Sequence, residues 1–383
     1  MLPIALKSFH IKNYRGIIDT QVDNIPADTQ WIFLTGENGF GKTSVLQALA
    51  SAISMEKPEK DKINFSLNTK TGFIPKYPFD KVNDEKYFDY FSEMYGGHLS
   101  YYGSRLIAYG STRLRISAGT TQEVAEKYSS TDSLFSNDTL LINVEEYLKD
   151  WVYNYHIGFL EFQEIFKSLL PGLDSIDIEF DNKIKKSKVK YHEKDFEGNT
   201  YKDAVEFLDL AAGYKNIIAM VGDMVMRLFD YISTERFSDL EGIVIIDEID
   251  LHLHPKYQKL LVQKLTKLFP KIQFIVSTHS PIPLLGAPEN SVIINVSRTR
   301  EEGIKAELLD IDFSVLTPNA ILSSPIFGFQ DLIPESKSDD KMIRTEDTFQ
   351  EVEFNDQLKK NINQFLTKER QEELLKLIKV KQS

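Results

Sequence analysis

The sequence predicts an α/β fold in which helices flank a mixed central sheet and polar residues gather along one edge of that sheet. Three short apolar runs, Trp31–Thr35, Gly242–Ile246 and Phe274–Thr278, lack polar alternation, which is typical of strands buried on both faces. Polar residues follow each run directly, as expected where the ends of parallel strands build a ligand site. Period-two stretches near the N-terminus and around residues 176–191 predict an antiparallel β-subdomain and a separate β-hairpin.

Bulk composition limits the class of protein. With 383 residues and 42% hydrophobic content, the chain is long enough for a full core and roughly two to three domains. No apolar run approaches the roughly 18 residues of a membrane helix, and the absence of cysteine fits a cytoplasmic location without membrane contact. The formal charge of −12 argues against nucleic-acid binding over the whole surface, although a local basic face remains compatible with it.

The first predicted element is an antiparallel hairpin formed by Ala5–Ile11 and Ile17–Val22. Gly16 suits the turn between the strands, which reads Asn-Tyr-Arg-Gly. Arg15 in this turn is a candidate contact for a bound nucleotide, and an arginine that merely lies on the surface is the alternative.

A glycine-rich turn joins the Trp31–Thr35 strand to a predicted helix. It matches the phosphate-loop pattern G-x-x-x-x-G-K-[ST]. In such a loop, successive backbone N–H groups and the N-terminus of the following helix form a nest for anions. We expect Lys42 to reach the β- and γ-phosphates of ATP and the Thr43 hydroxyl to bind Mg²⁺. The predicted nucleotide contacts are Gly36, Glu37, Asn38, Gly39, Phe40, Gly41, Lys42, Thr43 and Ser44.

Another strand is predicted within Arg105–Arg113 and ends in a turn at Gly110. Its position after the first β-α unit makes Tyr109 and Arg113 candidates for sensing the nucleotide, with packing at the strand end as the alternative. Residues 1–115 are expected to form the N-terminal lobe of the fold.

Residues 116–205 are predicted to form an insertion that contains helices and a β-hairpin. Aromatic and aliphatic residues recur at helical spacing over Thr121–Leu170, which indicates helices that pack a core. The hairpin, Ile176–Tyr191, carries the densest basic patch of the chain. These lysines could contact a DNA backbone, or they could keep a sheet edge from pairing with other chains. The patch comprises Lys183, Lys185, Lys186, Lys188 and Lys190.

Residues 206–334 are predicted to form the C-terminal lobe, where a second motif completes the site. The β-branched run Gly242–Ile246 ends in Asp247 and Glu248, two carboxylates at the carboxyl end of a buried strand. We expect Asp247 to bind Mg²⁺ or one of its water ligands and Glu248 to act as the general base.

A histidine follows the third buried strand. We expect His279 to lie at the same sheet edge, where a neutral imidazole can donate to the γ-phosphate or orient the attacking water. A histidine satisfied within the core is the alternative. His252 and His254 could indicate a metal cluster with nearby aspartates, but no further ligands accompany them in the sequence.

Together these motifs resemble the ABC-type ATPase heads of the RecF, SMC and OLD group. The matching pieces are Asn-Tyr-Arg-Gly at 13, the phosphate loop at 36, Val-Ile-Ile-Asp-Glu at 244, Leu-His-Pro at 253 and Ser-Thr-His-Ser-Pro at 277. The resemblance covers most of residues 3–300 and implies an ABC-ATPase head. It also implies that two heads close around two ATP molecules, with Gly213 and its helix N-terminus on the opposing phosphate. A homodimer or higher homo-oligomer is therefore expected.

Two departures from the family pattern predict slow hydrolysis. The segment Leu210–Tyr214, which we call the signature-like segment, has Ala211 where the family usually has a serine. A sensing glutamine is missing around Tyr109. We expect both losses to slow turnover more than they weaken ATP-dependent dimerisation.

Heads of this type without coiled-coil arms or a following nuclease domain resemble the ATPase components of bacterial anti-phage operons such as Septu or PARIS. That resemblance implies a separate effector protein, a nuclease or toxin, under ATP-dependent control. A DNA-binding repair ATPase of RecF type is the alternative, and a phosphate-loop kinase is less favoured because Glu248 and His279 suit hydrolysis. Residues 335–383 are predicted to form a polar linker and a C-terminal helix.

Overall fold

The computed structural model describes residues 2–54, 63–69, 72–74, 105–113, 116, 127–154, 158–181, 186–195, 197–231, 236–327, 353–354, 357–358 and 360–361. Two compact units divide the chain, Met1–Ser314 and Val315–Ser383. The predicted linker and C-terminal helix fall almost wholly outside the described residues. The four domain boundaries expected from the sequence stay predictions.

A mixed ten-stranded sheet organises the first unit, with strand order β5-β4-β1-β2-β12-β11-β3-β10-β9-β6. Its strands are β1 Ile4–Tyr14, β2 Ile17–Val22, β3 Trp31–Thr35, β4 Ile63–Thr69, β5 Gly72–Ile74, β6 Leu106–Tyr109, β9 Gly242–Ile246, β10 Ile272–Ser277, β11 Val292–Thr299 and β12 Gly303–Leu309. The predicted α/β class with a mixed central sheet is confirmed.

The parallel half of this sheet brings the predicted motifs to one edge. β3 and β9 both pair in parallel with β10, and β6 pairs in parallel with β9. Every residue of β3, β6, β9 and β10 is buried, as expected for apolar runs covered on both faces. Because parallel strands share a direction, the segments after these four strands emerge at the same edge.

The antiparallel half confirms the N-terminal hairpin and extends it. β1 and β2 pair around a turn in which Asn13, Arg15 and Gly16 all have positive φ. β2 then pairs with β12 through Gly303 and Ile17, so the antiparallel wing is continuous with the central sheet.

Six α-helices lie within the described residues. They are α1 Lys42–Ser54, α2 Val144–Tyr153, α3 Gly158–Leu169, α4 Ala212–Tyr231 and α5 Pro255–Leu268 in the first unit and α6 Pro318–Ser323 in the second. Within the described residues, none of these helices is long and apolar enough to cross a membrane.

The helical prediction for Thr121–Leu170 is confirmed for α2 and α3. Between residues 128 and 143 the chain instead forms turns and the short 3₁₀ helix Asp132–Leu134, while residues 121–126 of the prediction lie outside the described residues. The side chain of Asn143 caps α2 by accepting from the Glu145 N–H, which fixes the start of the helix. The aromatic stripe is a core as predicted, because Trp151 contacts Phe162 and Phe237 at centroid distances of 6.0 and 5.9 Å.

The predicted β-hairpin is confirmed as β7 Leu173–Asp181 and β8 Lys186–Glu193. Its lysines lie opposite acidic residues, since Lys190 pairs in register with Asp177 and Lys188 with Glu179. Lys183 and Lys185 lie outside the described residues.

Candidate active site

The phosphate loop occupies the turn between β3 and α1. Gly36, Gly39 and Gly41 have φ values of 130°, 81° and 99°, a region that side-chain-bearing residues rarely adopt. Gly36 is required for a second reason, because a Cβ atom there would lie 2.1 Å from the carbonyl oxygen of Val296. The glycines therefore permit a tight curl against β11.

Lys42 projects into this curl from the first turn of α1. Its ammonium group donates to the carbonyls of Gly36 and Glu37, at 2.7 and 3.0 Å, and contacts Nδ1 of His279 at 3.2 Å. Burial lowers the pKa of Lys42 from its ordinary value, and nearby carboxylates, the first of them that of Asp247, oppose the shift. Among the described residues Lys42 has no carboxylate in ion-pair contact, so its charge is available to a bound anion.

Thr43 and Asp247 provide adjoining oxygen atoms. The Thr43 hydroxyl donates to Oδ2 of Asp247 at 2.7 Å, while the Ser277 hydroxyl donates to Oδ1 at 2.5 Å. Asp247 is buried and held on both oxygens, so its orientation is fixed by α1 and β10 together. A hydroxyl beside a carboxylate is a donor set that suits Mg²⁺, which prefers oxygen and commonly takes one or two protein ligands beside phosphate oxygens and water.

Glu248 adopts a strained backbone conformation, with φ of 53°. Such a left-handed conformation costs a non-glycine residue about 1–3 kcal/mol and persists only where neighbours enforce it. Two contacts do so here: the Glu248 N–H donates to Oγ of Ser277 at 2.7 Å, and Arg113 donates to the Glu248 carbonyl at 2.7 Å. The strain turns the chain sharply after β9 while the Glu248 side chain stays half-exposed.

His279 lies between the phosphate-loop lysine and this carboxylate. Its Nε2 is 4.0 Å from Oε1 of Glu248, and its Nδ1 accepts from Lys42. Burial, and after it the charge of Lys42, lower the pKa of His279 below its ordinary value. The imidazole is therefore neutral at pH 7, and the Lys42 contact assigns the ring proton to Nε2.

These contacts unite the three predicted segments. The ends of β3, β9 and β10 place Lys42, Asp247 and His279 around one small space, as the motifs had indicated. The arrangement offers a cation, a pair of oxygen atoms that suits Mg²⁺, a half-exposed carboxylate and a neutral imidazole. These are the groups that binding and hydrolysis of a nucleoside triphosphate require.

Comparison with known proteins agrees with this geometry. Residues 123–282 match the model of the AAA ATPase domain family. This range includes the segments that carry Asp247, Glu248 and His279. Septu protein PtuA from Bacillus mycoides (strain KBAB4) is 29% identical over 359 residues, 86% of this chain and 46% of that protein. The chain carries an ATPase domain.

Other relatives match over shorter stretches of the chain. The Retron Vc95 probable ATPase of Vibrio cholerae serotype O1 biovar El Tor is 42% identical over 118 residues, 30% of this chain and 21% of that protein. The Retron Ec83 probable ATPase of Escherichia coli is 45% identical over 80 residues, 20% and 15% of the two chains. This chain therefore spans less than half the length of the curated relatives it matches.

Among solved structures, the Smc head bound to the C-winged helix domain of ScpA is similar over 80% of this chain and 98% of that chain, with a TM-score of 0.47 and 13% identity. The match to the AAA ATPase domain family and the similarity to Septu PtuA agree with the resemblance to an anti-phage ATPase stated from the motifs.

Arg15, predicted as a nucleotide contact of the ATPase domain, lies beside α1. Its guanidinium donates to the side chain of Gln47 and lies 5.5 Å from the Tyr14 ring and 5.8 Å from the Phe135 ring. These contacts anchor the hairpin turn to the helix that follows the phosphate loop. A nucleotide contact for Arg15 stays a prediction.

Gly213 is the second residue of α4, and it packs against the loop that follows β9. A Cβ atom there would lie 3.0 Å from the His252 carbonyl and 3.4 Å from Leu253. The helix start borders an apolar cavity of about 160 Å³, lined by residues that include Ala211, Tyr214, Leu253 and Tyr257. A contact between Gly213 and the phosphate of an opposing head stays a prediction.

The alternative of a metal cluster at His252 and His254 finds no support. No group of three or more metal-ligating side chains is found among the residues that the structure describes. His254 instead caps α5, with Nδ1 accepting from the Lys256 N–H at 3.3 Å.

Two side chains contribute to this site in ways that the sequence does not predict. Ser277 ends β10 and begins the Ser-Thr-His-Ser-Pro motif, and its hydroxyl joins Asp247 to the backbone of Glu248. Arg113 was weighed as a sensor or as packing, and the structure places it beneath β9 in contact with the same backbone. The sequence signal for Arg113 was an arginine just past a buried strand, three residues after Gly110.

Proposed function

We propose that this protein binds ATP with Mg²⁺ and hydrolyses it slowly. The convergence of Lys42, Asp247 and His279 on one space carries this proposal, because the three belong to segments far apart in sequence. The backbone N–H groups of the phosphate loop and Lys42 bind the phosphates. Thr43 and Asp247 hold Mg²⁺, which neutralises phosphate charge when bound.

In the proposed reaction, Glu248 accepts a proton from the attacking water. The neutral His279 donates a hydrogen bond from its Nε2–H to a γ-phosphate oxygen or to that water, keeps its proton and so orients the attack. Such general-base assistance contributes about 10²- to 10⁴-fold in rate. Ala211 gives no hydroxyl at the start of α4, so the opposing phosphate would meet only backbone N–H groups there, which is consistent with slow turnover.

Steady-state ATP hydrolysis by the purified chain tests the proposal. We expect turnover that requires Mg²⁺ and disappears in Lys42→Ala. Hydrolysis that survives in Lys42→Ala at the wild-type rate would show that the phosphate loop is not the site.

We further propose that two copies close around ATP and that the closed form regulates a separate effector in anti-phage defence. Similarity to Septu PtuA and to retron ATPases supports the defence role, and the ABC-type motifs support the dimer. The native mass with and without ATP, measured in Glu248→Gln, tests closure. A mass that stays monomeric at every ATP concentration would contradict closure. Purification of the protein together with the products of neighbouring genes tests whether an effector binds it.

Nucleic-acid binding is a second candidate function, but on a different surface from the one suggested by the sequence. Lys188 and Lys190 both donate to Glu206, at 2.9 and 3.1 Å, so the hairpin lysines are neutralised locally. α5, in contrast, contains no acidic residue, and its exposed Lys256 and Lys259 form no ion pair with any other described residue. Exposed lysines suit a phosphate backbone better than a protein interface, where lysine is depleted.

Duplex DNA binding at several salt concentrations tests this second candidate. Replacing Lys256 and Lys259 by glutamine should weaken binding and lower the salt dependence by about one ion per lysine. The matched replacement of Lys188 and Lys190 by glutamine should change neither the affinity for DNA nor its salt dependence. Equal effects of both pairs, or no binding at low salt, would remove the candidate.

A further inference from the structure

Arg113 is a buried cation that contacts the segment directly after β9. It follows β6, turns back at Gly110 and leaves only 2% of its surface exposed. Its Nη1 donates to the carbonyls of Gly110 and Asp247, at 2.9 and 2.6 Å, and its Nη2 to the carbonyl of Glu248 at 2.7 Å. The planar guanidinium thus grips two consecutive carbonyls at the point where the backbone becomes strained.

Burying this charge is unfavourable unless its surroundings compensate for it. Burial lowers the pKa of Arg113 to about 10, while the carboxylates of Asp247, Glu248 and Asp250 oppose that shift. The group remains charged at neutral pH and is held by carbonyl dipoles as well as by those carboxylates. A buried apolar side chain could fill the same volume, but it could not hold the Glu248 carbonyl.

The Nε donor of Arg113 reaches α4, the helix that follows the signature-like segment. Nε donates to Oδ1 of Asn216 at 2.9 Å, and Nδ2 of Asn216 donates to the carbonyl of Leu251 at 3.0 Å. Asn216 is only 2% exposed, and both ends of its amide are used. It lies three residues after Gly213, on the same face of α4.

A continuous chain of hydrogen bonds therefore runs from α4 to the backbone of Glu248. One arm passes through Arg113, and the other ends at Leu251 in the loop after β9. A shift of the first turn of α4 must strain or break these bonds, because neither Asn216 nor Arg113 has room to follow independently in the packed interior.

We infer that Arg113 is a positioning residue for Glu248 and that, through Asn216, it couples the placement of this carboxylate to the N-terminus of α4. The inference rests on the proposed ATPase function. Engagement of α4 by an opposing nucleotide would then set the general base, so that hydrolysis follows closure of two heads. Arg113, in the segment after β6, would then link the two sites where the family usually has its sensing glutamine.

A double-mutant cycle with the general base tests the coupling. Arg113→Met and Asn216→Ala are each made in the wild type and in Glu248→Gln, and kcat, KM and the affinity for a fluorescent ATP analogue are measured. We expect kcat to fall about 10²-fold for Arg113→Met and about tenfold for Asn216→Ala, with affinity changed less than threefold. In Glu248→Gln neither change should lower the remaining rate further.

Two further variants separate positioning from general stability. Arg113→Lys, which keeps a donor but not the planar fork, should recover about a tenth of the wild-type kcat. Arg227→Met removes another buried arginine, on α4, that contacts Asp223, and it should lower the melting temperature while leaving kcat within about threefold. If Arg113→Met does not fold, Asn216→Ala alone decides.

The outcomes that contradict the inference are distinct from failure of the proposed function. Losses of equal size in the wild type and in Glu248→Gln, or a fall in nucleotide affinity that parallels kcat, would overturn the inference alone. A wild-type protein without Lys42-dependent ATP turnover would overturn the proposed function and the inference with it.

Discussion

Ser277→Ala is expected to loosen the site at the junction of β9 and β10. The Ser277 hydroxyl is fully buried, donates to Oδ1 of Asp247 and accepts from the Glu248 N–H. Losing a hydrogen bond to a charged group costs about 1.5–3 kcal/mol, and an unpaired buried N–H costs about 1–3 kcal/mol. Because Glu248 is half-exposed, water can replace part of this loss, so we expect a net destabilisation of about 3 kcal/mol.

Urea unfolding followed by tryptophan fluorescence measures this effect. Trp31 on β3 stacks on Phe274 of β10 at 4.5 Å, so its emission reports on the strands beside Ser277. Thr35→Val is the matched control, because the buried Thr35 hydroxyl has no hydrogen-bond partner among the described residues. It should be neutral or stabilising by about 1 kcal/mol. A loss below 1 kcal/mol for Ser277→Ala, or equal losses for both variants, would refute the reasoning.

Three further predictions concern the reaction. Lys42→Ala should abolish ATP binding, measured by calorimetry, because no other buried cation within the described residues lines the loop; retained affinity would contradict this. Glu248→Gln should keep ATP affinity, slow hydrolysis by about 10²- to 10⁴-fold and accumulate the closed dimer in ATP; a wild-type rate would remove the base assignment. Because the pKa of His279 is lowered, the acid limb of kcat against pH should lie below 6.5 and vanish in His279→Gln.

The sign of the histidine prediction follows from the direction of its pKa shift. A histidine whose pKa is lowered on folding is favoured in its deprotonated, neutral form, so its contribution to stability and activity is present above the unfolded pKa. It is lost as the pH falls through the folded value, below 6.5. An acid limb above 6.5 would instead indicate that a bound carboxylate, and not burial, dominates around His279.

The main parts of the site could be predicted because they are local patterns at strand ends. The phosphate loop, Asp247 with Glu248, and His279 each follow a buried apolar run, and parallel pairing alone brings such ends together. No knowledge of distant contacts was needed, since the sheet supplies them.

The parts that could not be predicted depend on contacts across the fold. Arg113 and Asn216 are 103 positions apart in sequence, and each is an ordinary polar residue in its own segment. The positive φ of Glu248 has no sequence signal, because glutamate seldom adopts it and the contacts that stabilise it, among them those of Ser277 and Arg113, come from distant segments.

The basic patch shows the same limit in another way. Lysines at alternating positions in β8 indicated an exposed basic face, but Lys188 and Lys190 both form ion pairs with Glu206, which lies beyond the hairpin. Asp177 of β7, which lies opposite Lys190 in register, pairs with His192. A count of lysines along one strand cannot reveal a partner that comes from another segment.

Affinity for ATP as a function of Mg²⁺ concentration, compared between the wild type and Asp247→Asn, tests the central claim most directly. If the segments after β3, β9 and β10 jointly bind a magnesium-bound triphosphate, the wild type should bind ATP more tightly as Mg²⁺ rises. Asp247→Asn, which keeps the shape of the side chain but loses its charge, should lose that dependence. Equal Mg²⁺ dependence in both proteins would contradict the account.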